Sequence, residues 1–138
     1  MHRELFKKIV AEEFPRAVPE KFRARLKNVA VLVEDEPDNE TRLEEGLSEA
    51  ETLLGLYRGI PNTARGAEYG VGATLPDTIT LFQWPIEEEA RAVAAEERID
   101  IDAATRKVVR ETIWHEVAHY FGMDEGEVRG REQRKGSH

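Results

Sequence analysis

Two histidines four residues apart enclose a glutamate in the segment His115-Glu116-Val117-Ala118-His119. On a helix, side chains at that spacing stack one turn above each other on the same face. Two imidazoles so placed can offer nitrogen ligands to one divalent ion. Glu116, directly after the first, is a candidate general base. The chain has no cysteine, so disulfides and thiolate ligands are excluded and any metal must be held by His, Asp or Glu. The chemistry that this donor set suits is zinc-assisted hydrolysis, with one Zn2+ per chain; another divalent ion could take its place.

The residues after the motif extend it. Gly122 follows His119 by three positions, where a helix can end in a left-handed turn. Such a turn swings the next residues back toward the metal. In the spacing H-E-x-x-H-x-x-G-x-x-[H/D] the third ligand falls on Glu125. Asp124, one residue earlier, is the alternative, and Glu127 or a more distant acid is also within the segment's reach. Zinc accepts any of these carboxylates and keeps an open position for water in catalytic sites.

The motif needs a long, packed helix to hold it. Asp100 or Asp102 can cap a helix running to Phe121. On a helical wheel His115 and His119 share a face with Val108 and Thr112, while Trp114, Val117, Ala118 and Phe121 fill the other sides. Buried imidazoles need hydrogen bonds or coordination, and a metal supplies that to both at once. Upstream, residues 3–14 read as a helix stopped by Pro15, and Pro19 opens a second short one containing Phe22 and Leu26. Val29–Val33 has the β-rich composition of a buried strand. Glu34–Ser48 reads as an acidic loop with room for a helical turn. Leu53–Tyr57 and Thr78–Trp84 are two further strands, the latter ended by Pro85, and Glu87–Arg98 is a helix. Residues 59–77 form a Gly-rich loop of the kind that covers or lines sites. Glu125–Gln133 can form a last polar helix.

At 138 residues the expectation is one domain over 1–138, with 128–138 a polar tail. The net charge of −8 argues against nucleic acid as a partner. Residues 34–51 carry a single basic residue, Arg42, among many acids, whereas 1–27 and 129–135 lean basic; such blocks read as solvated faces. No apolar run suggests a signal peptide or a membrane span, and the expectation is a cytoplasmic protein.

The chain resembles the small bacterial zincin-like metallopeptidases, single domains with an H-E-x-x-H-x-x-G-x-x-D pattern. His115–Gly122 carries the most specific part of the likeness. Leu54-Gly55-Leu56-Tyr57-Arg58-Gly59-Ile60-Pro61 and Leu75-Pro76-Asp77-Thr78-Ile79-Thr80-Leu81 extend it, so that it runs from about Leu53 to Glu127. The resemblance implies an α+β fold with a small mixed sheet over the motif helix. It also implies zinc ligation by His115 and His119, Glu116 as base, and a peptide or protein substrate. The pattern's final Asp is Glu125 here. Met123 lies inside the motif and the only other methionine is Met1, so no later Met can form the turn found beneath the metal in metzincins.

The expected reaction is amide hydrolysis by a metal-bound water with Glu116 as general base. An extended peptide could add as a strand along a sheet edge near Thr78–Trp84. Tyr57, Arg65, Tyr69 and Tyr120 are candidates to stabilise the oxyanion. The rival expectation is a non-proteolytic metal-binding or partner-binding domain on the same scaffold, since 138 residues leave little room for a substrate-binding subdomain.

Overall fold

The computed structural model describes residues 1–59 and 75–122. Along the chain these form α1 (Arg3–Ala17), α2 (Glu20–Arg23), β1 (Val29–Glu34), α3 (Asn39–Glu44), β2 (Gly55–Arg58), β3 (Asp77–Phe82), α4 (Gln83–Glu97) and α5 (Ile101–Tyr120). The fold is α+β, with a three-stranded mixed sheet in the order β1-β3-β2. β1 runs parallel to β3, and β2 runs antiparallel to it.

Helix α5 is the axis of the molecule. It packs against α1, α4, β2 and β3. Its buried residues include Val109, Ile113, Trp114, Val117 and Ala118, so nearly every side of the helix meets another element. At its start Asp100 is the cap, accepting a 2.7 Å hydrogen bond from the Ala103 N–H, while Asp102 turns outward to pair with Arg106 at 3.0 Å. At its end Gly122 has φ +74° and its N–H donates to the His119 carbonyl at 2.9 Å. A side chain there would be strained, which is why the left-handed stop falls on glycine.

The prolines act differently from expectation. Pro15 does not stop α1; the helix continues to Ala17. Proline removes a single N–H donor, and here the lost hydrogen bond falls in the last turn. Burial of Ala17 and Val18, with the Val18 N–H bonded to the Phe14 carbonyl at 3.1 Å, holds the turn in place. Pro85 does not mark a strand end. β3 closes at Phe82, α4 begins at Gln83, and Pro85 lies in its first turn. Amides there have no partner within the helix, so proline costs nothing. Pro19 opens α2 as expected, and the acidic segment forms α3, capped by Asp38 through a 2.8 Å bond from the Thr41 N–H.

The strands also sort in a way local patterning did not show. β1 is an edge strand and only half-buried, with Leu32 42% exposed, rather than a fully buried strand. β3 is central, and Ile79, Leu81 and Phe82 are fully buried. Both of its flanks are occupied, so the Thr78–Trp84 segment has no free edge for an added strand. Among the described residues no helix is long and apolar enough to cross a membrane. The Gly-rich loop, apart from its ends, and the final polar segment lie outside the described residues.

Candidate metal and catalytic site

Near the C-terminal end of α5, His115 and His119 stand one turn apart with ring centroids separated by 4.7 Å at an interplanar angle of 69°. Each of His115, Glu116 and His119 presents one potential ligand atom, and these atoms lie within 4.8 Å of one another. The environment grades steeply across the group. The His119 side chain is 37% exposed and that of Glu116 only 7%. Two imidazole nitrogens at this spacing are donors suited to zinc, so the residues present fit a divalent ion, and the Glu116 carboxylate lies beside them. Asp124 and Glu125 lie outside the described residues.

Glu116 is held from a distant part of the chain. Its Oε1 accepts a 2.9 Å hydrogen bond from the backbone N–H of Tyr57 and lies 3.3 Å from His119 Nδ1. The amides of an antiparallel strand alternate between facing the partner strand and facing away. That of Tyr57 faces away from β3 and is taken by Glu116. Burial pushes the Glu116 carboxyl above the usual carboxylate range. The His119 and His115 charges and the Tyr57 N–H pull against it without reversing the shift. A carboxylate raised in this way suits a base that must both take and return a proton near neutral pH.

The contact between β2 and α5 depends on Gly55. A Cβ at that position would lie 2.8 Å from Thr112 Cγ2, 3.2 Å from the Thr80 carbonyl oxygen and 3.3 Å from Glu116 Cγ. Only a residue without one lets the strand come close enough for the Tyr57 amide to reach the carboxylate. Gly55 and the Tyr57 amide are the site components that sequence reading missed. One signal was available: a glycine inside an otherwise β-rich run often marks close backbone approach.

The proposed oxyanion donors fare differently. The Tyr57 hydroxyl donates to Asp77 Oδ2 at 2.8 Å, so its proton is committed away from the histidines. The Tyr120 hydroxyl accepts from the Lys27 N–H at 3.3 Å, and its ring meets that of Tyr57 edge-on at 5.9 Å. These two tyrosines brace β2 and the start of β1 against α5. Arg65 and Tyr69 lie outside the described residues.

The zincin-like metallopeptidase family matches residues 26–134 of the chain. The chain belongs to that family. The matched stretch contains the sheet, α4, α5 and the segment with Asp124 and Glu125. Helices α1 and α2 precede it. No protein of curated function matches. Membership accounts for the α+β fold and implies a divalent metal, typically zinc, for which His115, Glu116 and His119 form a possible site.

Proposed function

We propose that the protein is a zinc-dependent peptidase that hydrolyses peptide bonds at the exposed face of α5. The observation that carries this reading is the Glu116 carboxylate. It is buried, raised in pKa and fixed by a backbone amide beside two histidines at ligand spacing. A carboxylate buried beside two imidazoles, with its pKa raised, is the environment that suits a general base.

His115 and His119 would hold the ion, with Glu125, or Asp124 in its place, as the third ligand. A bound divalent ion lowers the pKa of water toward ~7 and polarises the scissile carbonyl. Glu116 takes the proton of the attacking water as its oxygen bonds to the carbonyl carbon. It then delivers that proton to the leaving amine as the C–N bond breaks. The Tyr57 N–H keeps the carboxylate oriented through both transfers, and burial keeps its basicity high. The substrate is a peptide or protein segment, and the expected location is the cytoplasm.

The test has two parts. Protein purified without chelator is expected to hold about one zinc per chain by elemental analysis, as a single ligand set would. Substituting His115 or His119 by Ala removes it. Zinc-loaded protein is then expected to cleave members of a peptide library, and Glu116→Gln to slow cleavage by on the order of 10²–10⁴ while retaining the metal. Zinc bound without any cleavage would favour the non-proteolytic reading. No metal at all would overturn both.

A further inference from the structure

We propose that the outer edge of β1 pairs antiparallel with the same strand of a second copy, so that two chains share one continuous sheet about a two-fold axis. The two edges of the sheet differ. At the β2 edge the Tyr57 N–H, which faces away from β3, is taken by Glu116 at 2.9 Å. At the β1 edge the Asn28 carbonyl accepts from the Asp77 N–H at 2.9 Å, so Asn28 and every second residue after it face β3. The N–H and C=O groups of Val29, Val31 and Val33 therefore point outward. The Val33 carbonyl accepts from Arg3 Nη1 at 3.1 Å; among the described residues no partner meets the outward groups of Val29 and Val31.

Exposed strand edges are normally blunted by proline, charge or a bulge. Val29-Ala30-Val31-Leu32-Val33 carries no proline or charge, and Leu32 in it is 42% exposed. A groove of about 820 Å³ separates this edge from α1, lined by Val10, Phe14, Val29, Val31 and Val33 with Lys7 and Glu34 also at its walls. An antiparallel second copy, turned about an axis normal to the sheet, presents its own valines on that same face and fills the groove. Charge at the two ends of the strand selects this occupant. Residues 21–27, just before β1, hold four basic side chains and no acid, whereas residues 34–36 are all acids. Arg25 and Lys27 are exposed at the first end, and Glu34 and Glu36 at the second, where Arg3 pairs with Asp35. Antiparallel pairing lays the acidic end of each copy beside the basic end of the other, twice over; a parallel arrangement would bring like charges together. The edge is thus complementary to itself, as a two-fold interface requires. Because β1 and β2 flank β3 on opposite sides, the dimer leaves β2 and its hydrogen bond to Glu116 untouched.

Sedimentation equilibrium of the full chain over roughly 1–100 μM tests this. The mass is expected to approach twice the monomer's 15.7 kDa at the upper end of that micromolar range. Val31→Pro removes an outward N–H and leaves the ladder to β3 intact. It is expected to raise the dimer Kd by about tenfold or more, the scale of two symmetric hydrogen bonds. Lys27→Glu and Glu34→Lys, both at exposed positions, are each expected to raise Kd by roughly five- to tenfold, because the two-fold axis repeats every repulsion. Combining them restores opposite charges across the interface and is expected to recover most of the lost affinity. Should Val31→Pro fold poorly by circular dichroism, the charge exchange decides alone. A chain that stays monomeric at the highest concentration, whether or not it captures a foreign strand peptide, would overturn the dimer. So would a Kd indifferent to both single charge reversals, or a combined variant no tighter than either one.

Discussion

Glu13 of α1 and Glu116 of α5 are both almost fully buried, at 1% and 5% exposure, yet they meet opposite company. Glu13 accepts from Arg110 at 2.8 Å and from Arg106 at 2.9 Å. Burial pushes its carboxyl up, but the hydrogen bonds from Arg110 and Arg106, with the charges of Arg110 and Arg16, more than offset that. The net effect is a pKa below the ordinary 4.5. Among the described residues Glu116 meets an amide and two imidazoles rather than arginines, and burial wins. The first arrangement holds a charge fixed and ties α1 to α5. The second leaves a proton free to move. Burial alone therefore does not set the direction of a glutamate's pKa shift; the partners do.

Removing each carboxylate is expected to break the contrast in a different observable. Glu116→Gln should lower kcat/KM for a cleaved peptide by on the order of 10²–10⁴, the usual share of general acid–base catalysis. Its folded pKa lies above the unfolded value, so the associated stability is present below the unfolded pKa and is lost as pH rises through the folded one. Metal-free Glu116→Gln is accordingly expected to melt at or above the wild-type temperature at neutral pH, and calorimetry checks this. A lower Tm would mean that the carboxylate is structural after all.

Glu13→Gln acts in the other direction. It should cost about 1–3 kcal/mol in chemical denaturation, because two arginines lose their shared acceptor. The sign with pH is also reversed. A depressed folded pKa gives stability that is present above the unfolded value and lost as pH falls through the folded one. Wild type should therefore lose its advantage over Glu13→Gln below about pH 4.5, where acid titrations followed by circular dichroism should converge.

A comparable effect is expected where β2 meets α5. Gly55→Ala forces β2 off α5, an overpacking that should cost about 1–3 kcal/mol. It should also weaken the hold of the Tyr57 amide on Glu116. Adding Thr112→Ser removes the methyl that the new Cβ would meet at 2.8 Å and is expected to recover most of both losses. Failure of that rescue would place the cost elsewhere than at the Thr112 contact. The smallest effect is expected for Tyr57→Phe. It removes the hydroxyl bonded to Asp77 at a cost of about 1 kcal/mol and should leave kcat/KM nearly unchanged, since the backbone N–H does the work at the site. A large loss of activity would restore the Tyr57 hydroxyl as an oxyanion donor.

What was legible in the chain was local. The His115–His119 spacing, the cap at one of two nearby aspartates and the left-handed stop at Gly122 each depend on residues within one helical turn. Pro15 and Pro85 were misread because proline is harmless at helix ends, and the sequence pattern alone does not say where an end falls. Strand order was illegible because β1 and β3 pair across 48 positions, while β2 reaches the same strand from the other side. Glu13 carried a signal that passed unread. It continues the buried stripe of Phe6, Ile9, Val10 and Ala17, and a charge on such a stripe calls for a buried partner.

The sequence by itself determined that two histidines at ligand spacing and a carboxylate would share one end of a packed helix, because helical geometry places residues four apart on one face. It also pointed to an α+β scaffold. Tertiary structure alone decided that Glu116 would be buried, that Tyr57, 59 positions away, would supply its hydrogen bond, and that Gly55 would allow the approach. It likewise decided that a cleft would open beside His115 and Glu116, between α4, α5 and the segment entering β2. The physical reason is the same in each case. A pKa, a hydrogen bond and a cavity depend on which surfaces exclude water together, and those surfaces meet only when distant segments pack.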